Sequence, residues 1–218
     1  MRFTNRQILK ITFPVLLSLM MEQLIGLTDT IYLGHVGEVE LGASAIAGIF
    51  YLTIFMVGFG FSIGAQVLIA RRNGEGNLAG IGPIFMQGMW FLLGMAVLFF
   101  GVSLLFALLP RVVLGAYTSN AELIAAAVPS LWVMLTTIVP CVPAFIYQFS
   151  VSGTGNTRTA LGITLVCVTA YTLYTLWLVY VLRADVALCW TADHVYYLIS
   201  LALSYAYIRS GRWRRLKI

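Results

Sequence analysis

The chain has a long apolar stretch near its start, ITFPVLLSLMMEQLIGLTDTIYL at residues 11–33, which is long enough to form a transmembrane helix. Two acids lie inside it, Glu22 and Asp29, seven residues apart. Because seven residues make about two helical turns, both carboxyl groups point to nearly the same face. A charged side chain at the centre of a membrane helix costs about 2.5–3.5 kcal/mol on insertion scales. The stretch therefore predicts a membrane protein with a functional site on its first helix, and it favours transport.

The composition agrees with this class. Hydrophobic residues make up 61% of the chain, charged residues only 10%, and the mean hydropathy is +0.94. Soluble domains carry about 25% charged residues. The pattern predicts an all-α integral membrane protein with six transmembrane helices. The predicted spans are residues 11–33, 41–70, 83–109, 123–150, 159–182 and 186–208, with residues 189–193 read as possible loop.

The basic residues predict the orientation of these spans. Of the 13 lysines and arginines, all but Arg111 and Arg183 fall on one side of a six-span arrangement. The positive-inside rule then places both termini in the cytoplasm. A basic tail beside a helix end anchors to anionic lipid, so the net charge of +5 requires no nucleic-acid partner.

Motifs for enzymatic chemistry are absent from the sequence. It has no phosphate-binding loop with lysine, no HExxH, no GxSxG and no paired-cysteine metal pattern. Cys141, Cys167 and Cys189 show no paired spacing and are interpreted as small apolar packing residues. The sequence predicts no enzyme, no metal site and no cofactor, so a pump of this kind would draw on an H⁺ or Na⁺ gradient or on a partner.

The first helix carries the most specific pattern. Ser18, Glu22, Gly26 and Asp29 follow one another at helical steps and form a stripe of small and acidic residues. The functional interpretation is a cation or proton site, at which substrate or Na⁺ binding is exchanged against a proton. The alternative is that the two acids hydrogen-bond within the bundle or reach the outer headgroups.

The second helix offers a wall for such a site. Ser62 and Gln66 are its polar candidates for a substrate cavity, within a stretch that also holds Gly58, Gly60 and Gly64. The GxxxG spacing from Gly60 to Gly64 predicts that another helix packs closely there.

Two prolines, Pro140 and Pro143, lie well inside the fourth span. Each removes a backbone donor and bends the helix, which suits a hinge or gate and equally suits static curvature.

The fifth span carries Tyr171, Tyr174, Trp177 and Tyr180 at steps of three residues. They are interpreted chiefly as anchors at the outer interface, with a pathway for aromatic cations as the alternative. Tyr171 and Tyr174, together with Gln148 of the fourth span, complete the candidates for the substrate cavity.

Three stretches resemble the multidrug and toxic compound extrusion (MATE) transporters. The first is ILKITFPVLLSLMMEQLIGLTDTIYLGHVGEVELGASAIAG, residues 8–48, with Pro14, Asp29, Gly34 and His35 placed as in that family. The others are GFGFSIGAQVLIARRNGEGN at residues 58–77 and QFSVSGTGNTRTALG at residues 148–162. The resemblance covers most of the chain, but in two blocks.

Family members have twelve helices in two lobes, whereas this chain resembles the first three helices followed by the last three. Residues 1–109 correspond to the first block, residues 110–122 to a junction loop, and residues 123–218 to the last three helices and a basic cytoplasmic tail. Because the lobes are parallel repeats, the chain can form one hybrid six-helix lobe, a half-size bundle, and two copies can form a homodimer.

The resemblance implies a multidrug efflux antiporter of the cell (inner) membrane, which exchanges small organic, cationic substrates for H⁺ or Na⁺. It gives Asp29 the coupling role, while Glu22 matches no family position and rests on the helical spacing. Acids that some members carry in the seventh and tenth helices have no counterpart in this chain.

Two alternatives remain open. The chain can be a truncated remnant that does not transport, which the missing helices favour. It can also be a flippase for lipid-linked saccharides, although no arginine or lysine lies inside a predicted span to bind phosphate.

Overall fold

The computed structural model describes residues 4–36 and 38–215. All secondary-structure elements in this part of the chain are helices. Short 3₁₀ turns lie at Leu78–Gly80 and Arg212–Arg215, and a π-helical turn at Trp177–Leu182 extends α6. The α-helices are α1 Asn5–Val36, α2 Glu38–Gly74, α3 Ile81–Leu108, α4 Pro110–Gly115, α5 Ala121–Gly153, α6 Thr157–Leu176, α7 Val186–Cys189 and α8 Ala192–Arg209.

Most of the long helices are apolar enough to cross a membrane. Within the described residues, five segments have the required length and composition: Ile8–Ile31, Leu78–Val102, Ala121–Gly153, Thr157–Leu182 and Val186–Arg209. They confirm an all-α, multi-pass membrane protein. The remaining long helix, α2, lies where the second span is predicted, at residues 41–70, so six spans and two cytoplasmic termini stay predictions.

The centre of the bundle is the pair α2 and α5, and α8 also packs against α5. Aromatic rings of Phe55 and Phe59 on α2 meet Phe145 and Phe149 on α5 with centroids 5.0–6.2 Å apart. Edge-to-face ring pairs of this kind add about 0.5–1.5 kcal/mol each to simple burial. Helix α1 lies at the periphery and packs mainly against α6.

Two predicted loops are partly helical. The junction at residues 110–122 contains α4, and Asn120 then caps α5 by accepting a hydrogen bond from the Glu122 backbone N–H at 2.9 Å. Within residues 189–193, α7 ends at Cys189 and α8 begins at Ala192, so Asp193 belongs to the first turn of α8 and not to a loop.

The connections that carry the predicted cytoplasmic arginines meet at one end of the bundle. Asn73 in the last turn of α2 donates to the Thr154 carbonyl after α5 at 2.9 Å, and Asn156 donates to the Tyr207 hydroxyl of α8 at 2.7 Å. Arg71 and Arg72 both bind Glu75 at about 3 Å on the exposed surface. The hydrogen bond from Arg71 lowers the pKa of Glu75, so the Glu75 carboxylate stays ionised at neutral pH.

Candidate functional site

Helix α1 turns a narrow face toward its neighbour α6. Its less exposed positions recur every three or four residues and include Pro14, Ser18, Glu22 and Asp29. Gly26, predicted in the same stripe, is exposed and has nothing within 4 Å of its Cβ position. The predicted stripe is therefore wrong at Gly26. The eight residues from Ser18 to Gly26 turn the helix by about 800°, so Gly26 lies about 80° away from Ser18 around the helix. The seven residues from Glu22 to Asp29 turn it by about 700°, so the two acids lie within about 20° of each other.

Asp29 forms the shortest contact of this face. The Tyr171 hydroxyl of α6 donates to Asp29 Oδ2 at 2.7 Å, and Tyr171 is only 3% exposed. A hydroxyl that donates to a carboxylate makes a charge-assisted bond, which is about twice as strong as a neutral one. The structure thus brings together two residues for which the sequence predicts separate roles, as coupling acid and cavity wall.

Glu22 makes a second acid–tyrosine pair with a different helix. The Tyr196 hydroxyl of α8 donates to Glu22 Oε1 at 3.3 Å, and both side chains are half-buried. Glu22 also acts electrostatically on the Cys167 thiol of α6. The two acids of α1 therefore contact α6 and α8 within the bundle.

A third acid belongs to the same region, although the site predicted from the sequence does not include it. Asp193 of α8 is half-buried and interacts electrostatically with Asp29 and with Tyr196. The signal was present in the sequence, because Asp193 and Tyr196 lie three residues apart and so share a helix face. A prediction of possible loop at residues 189–193 leaves this helix face unrecognised.

The other cavity candidates lie in separate places. Ser62 is fully buried and donates to the Gly58 carbonyl of its own helix at 2.8 Å. The Tyr174 and Thr191 hydroxyls lie 3.1 Å apart near the start of α8. Gln66 is half-buried on α2, where its backbone carbonyl faces Gly153 of α5.

Gln148 ties three helices together. Its side-chain amide donates to the Thr164 hydroxyl of α6 at 3.1 Å, and its carbonyl accepts from the Ser204 hydroxyl of α8 at 2.8 Å. A half-buried amide with both ends bonded stabilises one arrangement of α5, α6 and α8. This geometry gives Gln148 a packing role, and its place in a substrate cavity stays a prediction.

The two predicted hinge residues lie in an uninterrupted α5. Pro140 is buried and Pro143 half-buried, and the helix continues past both to Gly153. One turn before Pro140, the Thr136 hydroxyl lies 2.9 Å from His194 Nε2 and the Thr137 hydroxyl 3.2 Å from His194 Nδ1. The turn of α5 before Pro140 is thus connected to α8 through His194. A hinge at these prolines stays a prediction.

A small cavity lies between α2, α3 and α5, beside these prolines. It has a volume of about 30 Å³ and its walls are apolar, with Phe55, Met95, Phe99 and Phe145 among them. This volume is close to that of one water molecule, far below the about 300–1,000 Å³ of small-molecule sites. Within the described residues, no cluster of three His, Cys, Asp or Glu side chains is arranged to hold a metal ion.

The sequence comparisons place this bundle in a known class of membrane transporters. The MatE family model matches residues 14–178, so the chain belongs to the MatE family. The chain is 29% identical over 97 residues to the probable multidrug resistance protein NorM of Synechocystis, covering 44% of this chain and 21% of that protein. It is 33% identical over 88 residues to multidrug and toxin extrusion protein 1 of Danio rerio, covering 40% and 15%. The chain is therefore a membrane transporter homologue and not an enzyme.

The fold agrees with that class. A multidrug resistance MATE family transporter in an outward-facing conformation superposes with a TM-score of 0.83 at 16% identity, covering 97% of this chain and 47% of that one. A MOP superfamily transporter from Pyrococcus furiosus gives a TM-score of 0.77 at 18% identity, covering 91% and 43%. The chain thus spans about half the length of the solved transporters that it matches.

Proposed function

We propose that this protein is a cation-coupled antiporter of the cell (inner) membrane that exports small organic cations in exchange for H⁺ or Na⁺. The observation that carries the proposal is the bond between Asp29 and Tyr171 inside an apolar bundle. A carboxyl group held there can bind either a proton or a cation, so its occupancy can be coupled to that of a substrate. The multidrug names of the relatives support the substrate class.

The test is efflux of a fluorescent organic cation from vesicles with an imposed pH or Na⁺ gradient. Replacing Asp29 by asparagine keeps the size and the hydrogen-bond acceptor but removes the titratable group. We expect gradient-driven efflux to fall by about 100-fold, within the range that a positioned proton-transfer group contributes. The matched control is Glu122→Gln, which makes the same chemical change at an exposed acid.

Each outcome has a clear meaning. Equal efflux with and without the Asp29 carboxyl contradicts its coupling role. Absence of efflux from both proteins favours the second candidate, a shortened homologue that does not transport. That candidate is favoured by one observation, the match to only about half of a transporter.

We further propose that two copies form the complete transporter. A long face of α2, including Gly60, Gly64 and Val67, is exposed in the single chain, although the GxxxG spacing predicts a packed partner there. The chain covers 47% of the transporter that it matches, so a second copy can take the place of the other half. Such a dimer also gives the half-size bundle an opposing surface for a substrate cleft.

A further inference from the structure

The segment that follows α8 folds back onto the bundle. Gly211 ends α8 with a φ of 67°, which glycine adopts without a clash, and the 3₁₀ turn Arg212–Arg215 follows. The Trp213 side chain of this turn is only 8% exposed. It packs in one apolar cluster with Ile69 of α2 and Ile81 of α3. This turn is therefore docked on helices from the first half of the chain.

Two hydrogen bonds hold the docked turn in place. The indole N–H of Trp213 donates to the Ile208 carbonyl of α8 at 3.1 Å. The Arg212 backbone N–H donates to the Ser210 hydroxyl at 3.4 Å. A buried indole N–H needs a partner of this kind. Trp213 thus serves as an anchor, while the side chains of its neighbours Arg212 and Arg214 stay exposed.

The connections that end near this anchor carry further arginines. Asn73 of α2 is bonded to the Thr154 carbonyl. Asn156 is bonded to Tyr207, which packs against the Trp213 cluster. Six exposed arginines lie within two residues of these bonded or docked side chains: Arg71, Arg72, Arg158, Arg209, Arg212 and Arg214. The contacts therefore gather the six arginines at one end of the bundle.

Most of this positive charge has no acidic partner within the protein. Both ion pairs among the described residues go to Glu75. Arg209 lies instead 6.0 Å from the centroid of the Tyr205 ring. Arg214 lies 5.4 Å from that of Trp213. A guanidinium held against a ring keeps further N–H donors, which can bind a phosphate group through two parallel hydrogen bonds.

The position of the arginines along the apolar helices favours a lipid over a soluble anion. Arg158 is the second residue of the membrane-length segment Thr157–Leu182, and Arg209 is the last residue of Val186–Arg209. Side chains at the end of such a segment lie at the level of the headgroups. Tyr205, one turn before Arg209, is 44% exposed and supplies an aromatic ring of the kind that membrane interfaces favour.

We propose that the docked turn and these six arginines form a binding surface for the headgroups of anionic phospholipids. The sequence predicts lipid contact only for a basic tail, whereas the docked Trp213 joins that tail to α2 and α3. A ligand that binds only the folded arrangement stabilises it, so we expect anionic lipid to hold these helices together. The surface uses none of the acid–tyrosine pairs and requires no transport activity.

The test is the thermal unfolding midpoint of the full chain in detergent micelles that contain phosphatidylglycerol or phosphatidylcholine with the same acyl chains. For the wild type we expect phosphatidylglycerol to give a midpoint at least about 4 °C higher, the shift that two arginine contacts with anionic lipid produce in a chain of this size. Each variant is compared with itself in the two lipids, so its intrinsic stability cancels.

Two variants separate the charges from the docking. The double variant Arg212→Gln with Arg214→Gln changes only exposed side chains, and we expect it to lose at least half of the lipid-dependent shift. Trp213→Ala keeps every arginine but releases the turn, and we expect a loss of similar size. The matched control is Arg183→Gln, an exposed arginine before α7, which should keep the full shift.

An equal shift in the wild type and the double arginine variant overturns the surface. A full shift in Trp213→Ala also overturns it, because unspecific attraction of charge then suffices. If Trp213→Ala does not fold, the double arginine variant still decides. Sodium phosphate and polyglutamate are added separately to phosphatidylcholine micelles, and the same shift with either one overturns the assignment to lipid.

Discussion

At the scale of single residues, the aromatic row of α6 shows why spacing must be converted into angles. Tyr171 is buried against Asp29, whereas Trp177 and Tyr180 are exposed. Each three-residue step turns a helix by about 300°, so three such steps rotate the side chain by about half a turn. The row therefore begins inside the bundle and ends on its surface. Its outer members fit the predicted role as interface anchors, while Tyr171 does not.

Glycine packing provides a prediction at this scale. A Cβ at Gly153 of α5 would lie 2.9 Å from the Gln66 backbone oxygen and 3.1 Å from the Ile69 Cβ, so α2 and α5 approach closely there. We expect Gly153→Ala to lower the free energy of unfolding by about 1–3 kcal/mol, because neither neighbour can move without shifting its helix. The measurement is the thermal unfolding midpoint in detergent.

The control is Gly94→Ala on α3, whose Cβ would meet nothing within 4 Å. It should stay within about 1 kcal/mol of wild type, since alanine is the better helix former. Equal losses of unfolding free energy at both positions would contradict a specific role of the close contact between α2 and α5 in stability. The GxxxG prediction of close packing at Gly60 and Gly64 is wrong within the single chain, because both face open space.

At the scale of elements, α6 ends in an unusual way. Its last turn is π-helical from Trp177 to Leu182, and Arg183 follows in the left-handed region with φ 48° and ψ 46°. The Ala184 backbone N–H then returns to the Leu178 carbonyl at 3.0 Å. For residues other than glycine, this conformation costs about 1–2 kcal/mol of conformational energy. The tight hairpin to α7 is therefore made with a strained residue.

This strain leads to a prediction about stability. Arg183→Gly should raise the unfolding free energy by up to about 1 kcal/mol, because glycine adopts the left-handed conformation without a clash. Arg183→Ala removes the same charge but keeps the Cβ, so it should give no gain. Thermal unfolding of the three proteins in detergent measures the difference. A gain of equal size with alanine would trace the effect to the charge instead of the backbone.

At the scale of the whole molecule, the proposed dimer can be tested by cross-linking. Val67 lies on the exposed α2 face and is 61% exposed, whereas Val97 lies on α3 and is 74% exposed. We expect a cysteine at Val67 to cross-link two chains in vesicles with a short thiol reagent, because that face meets the second copy. A cysteine at Val97 serves as the control and should react without joining chains.

Background from the native cysteines is measured on the unchanged chain, in which Cys141 and Cys167 are buried and Cys189 is half-buried. Cross-linking that is equal at both positions, or absent from both, would contradict a dimer through α2. The expected pattern is a dimer band from the α2 position alone.

The sequence by itself determined the class of the molecule. Apolar runs of membrane length, the arginine distribution and the acid Asp29 within an apolar run could all be recognised, because each depends on local composition or on spacing within one helix. The MATE resemblance rests on contiguous motifs in the same way, and the family match confirms it.

Only the tertiary structure decided which residues meet. The Asp29–Tyr171 and Glu22–Tyr196 bonds join residues 142 and 174 positions apart, and Asp193 enters the site through α8. Side chains this distant in sequence are brought together by the packing of α1, α6 and α8, and periodicity within one helix carries no information about its partner. The acid of the opening stretch was thus visible in the sequence, whereas its tyrosine required the folded bundle.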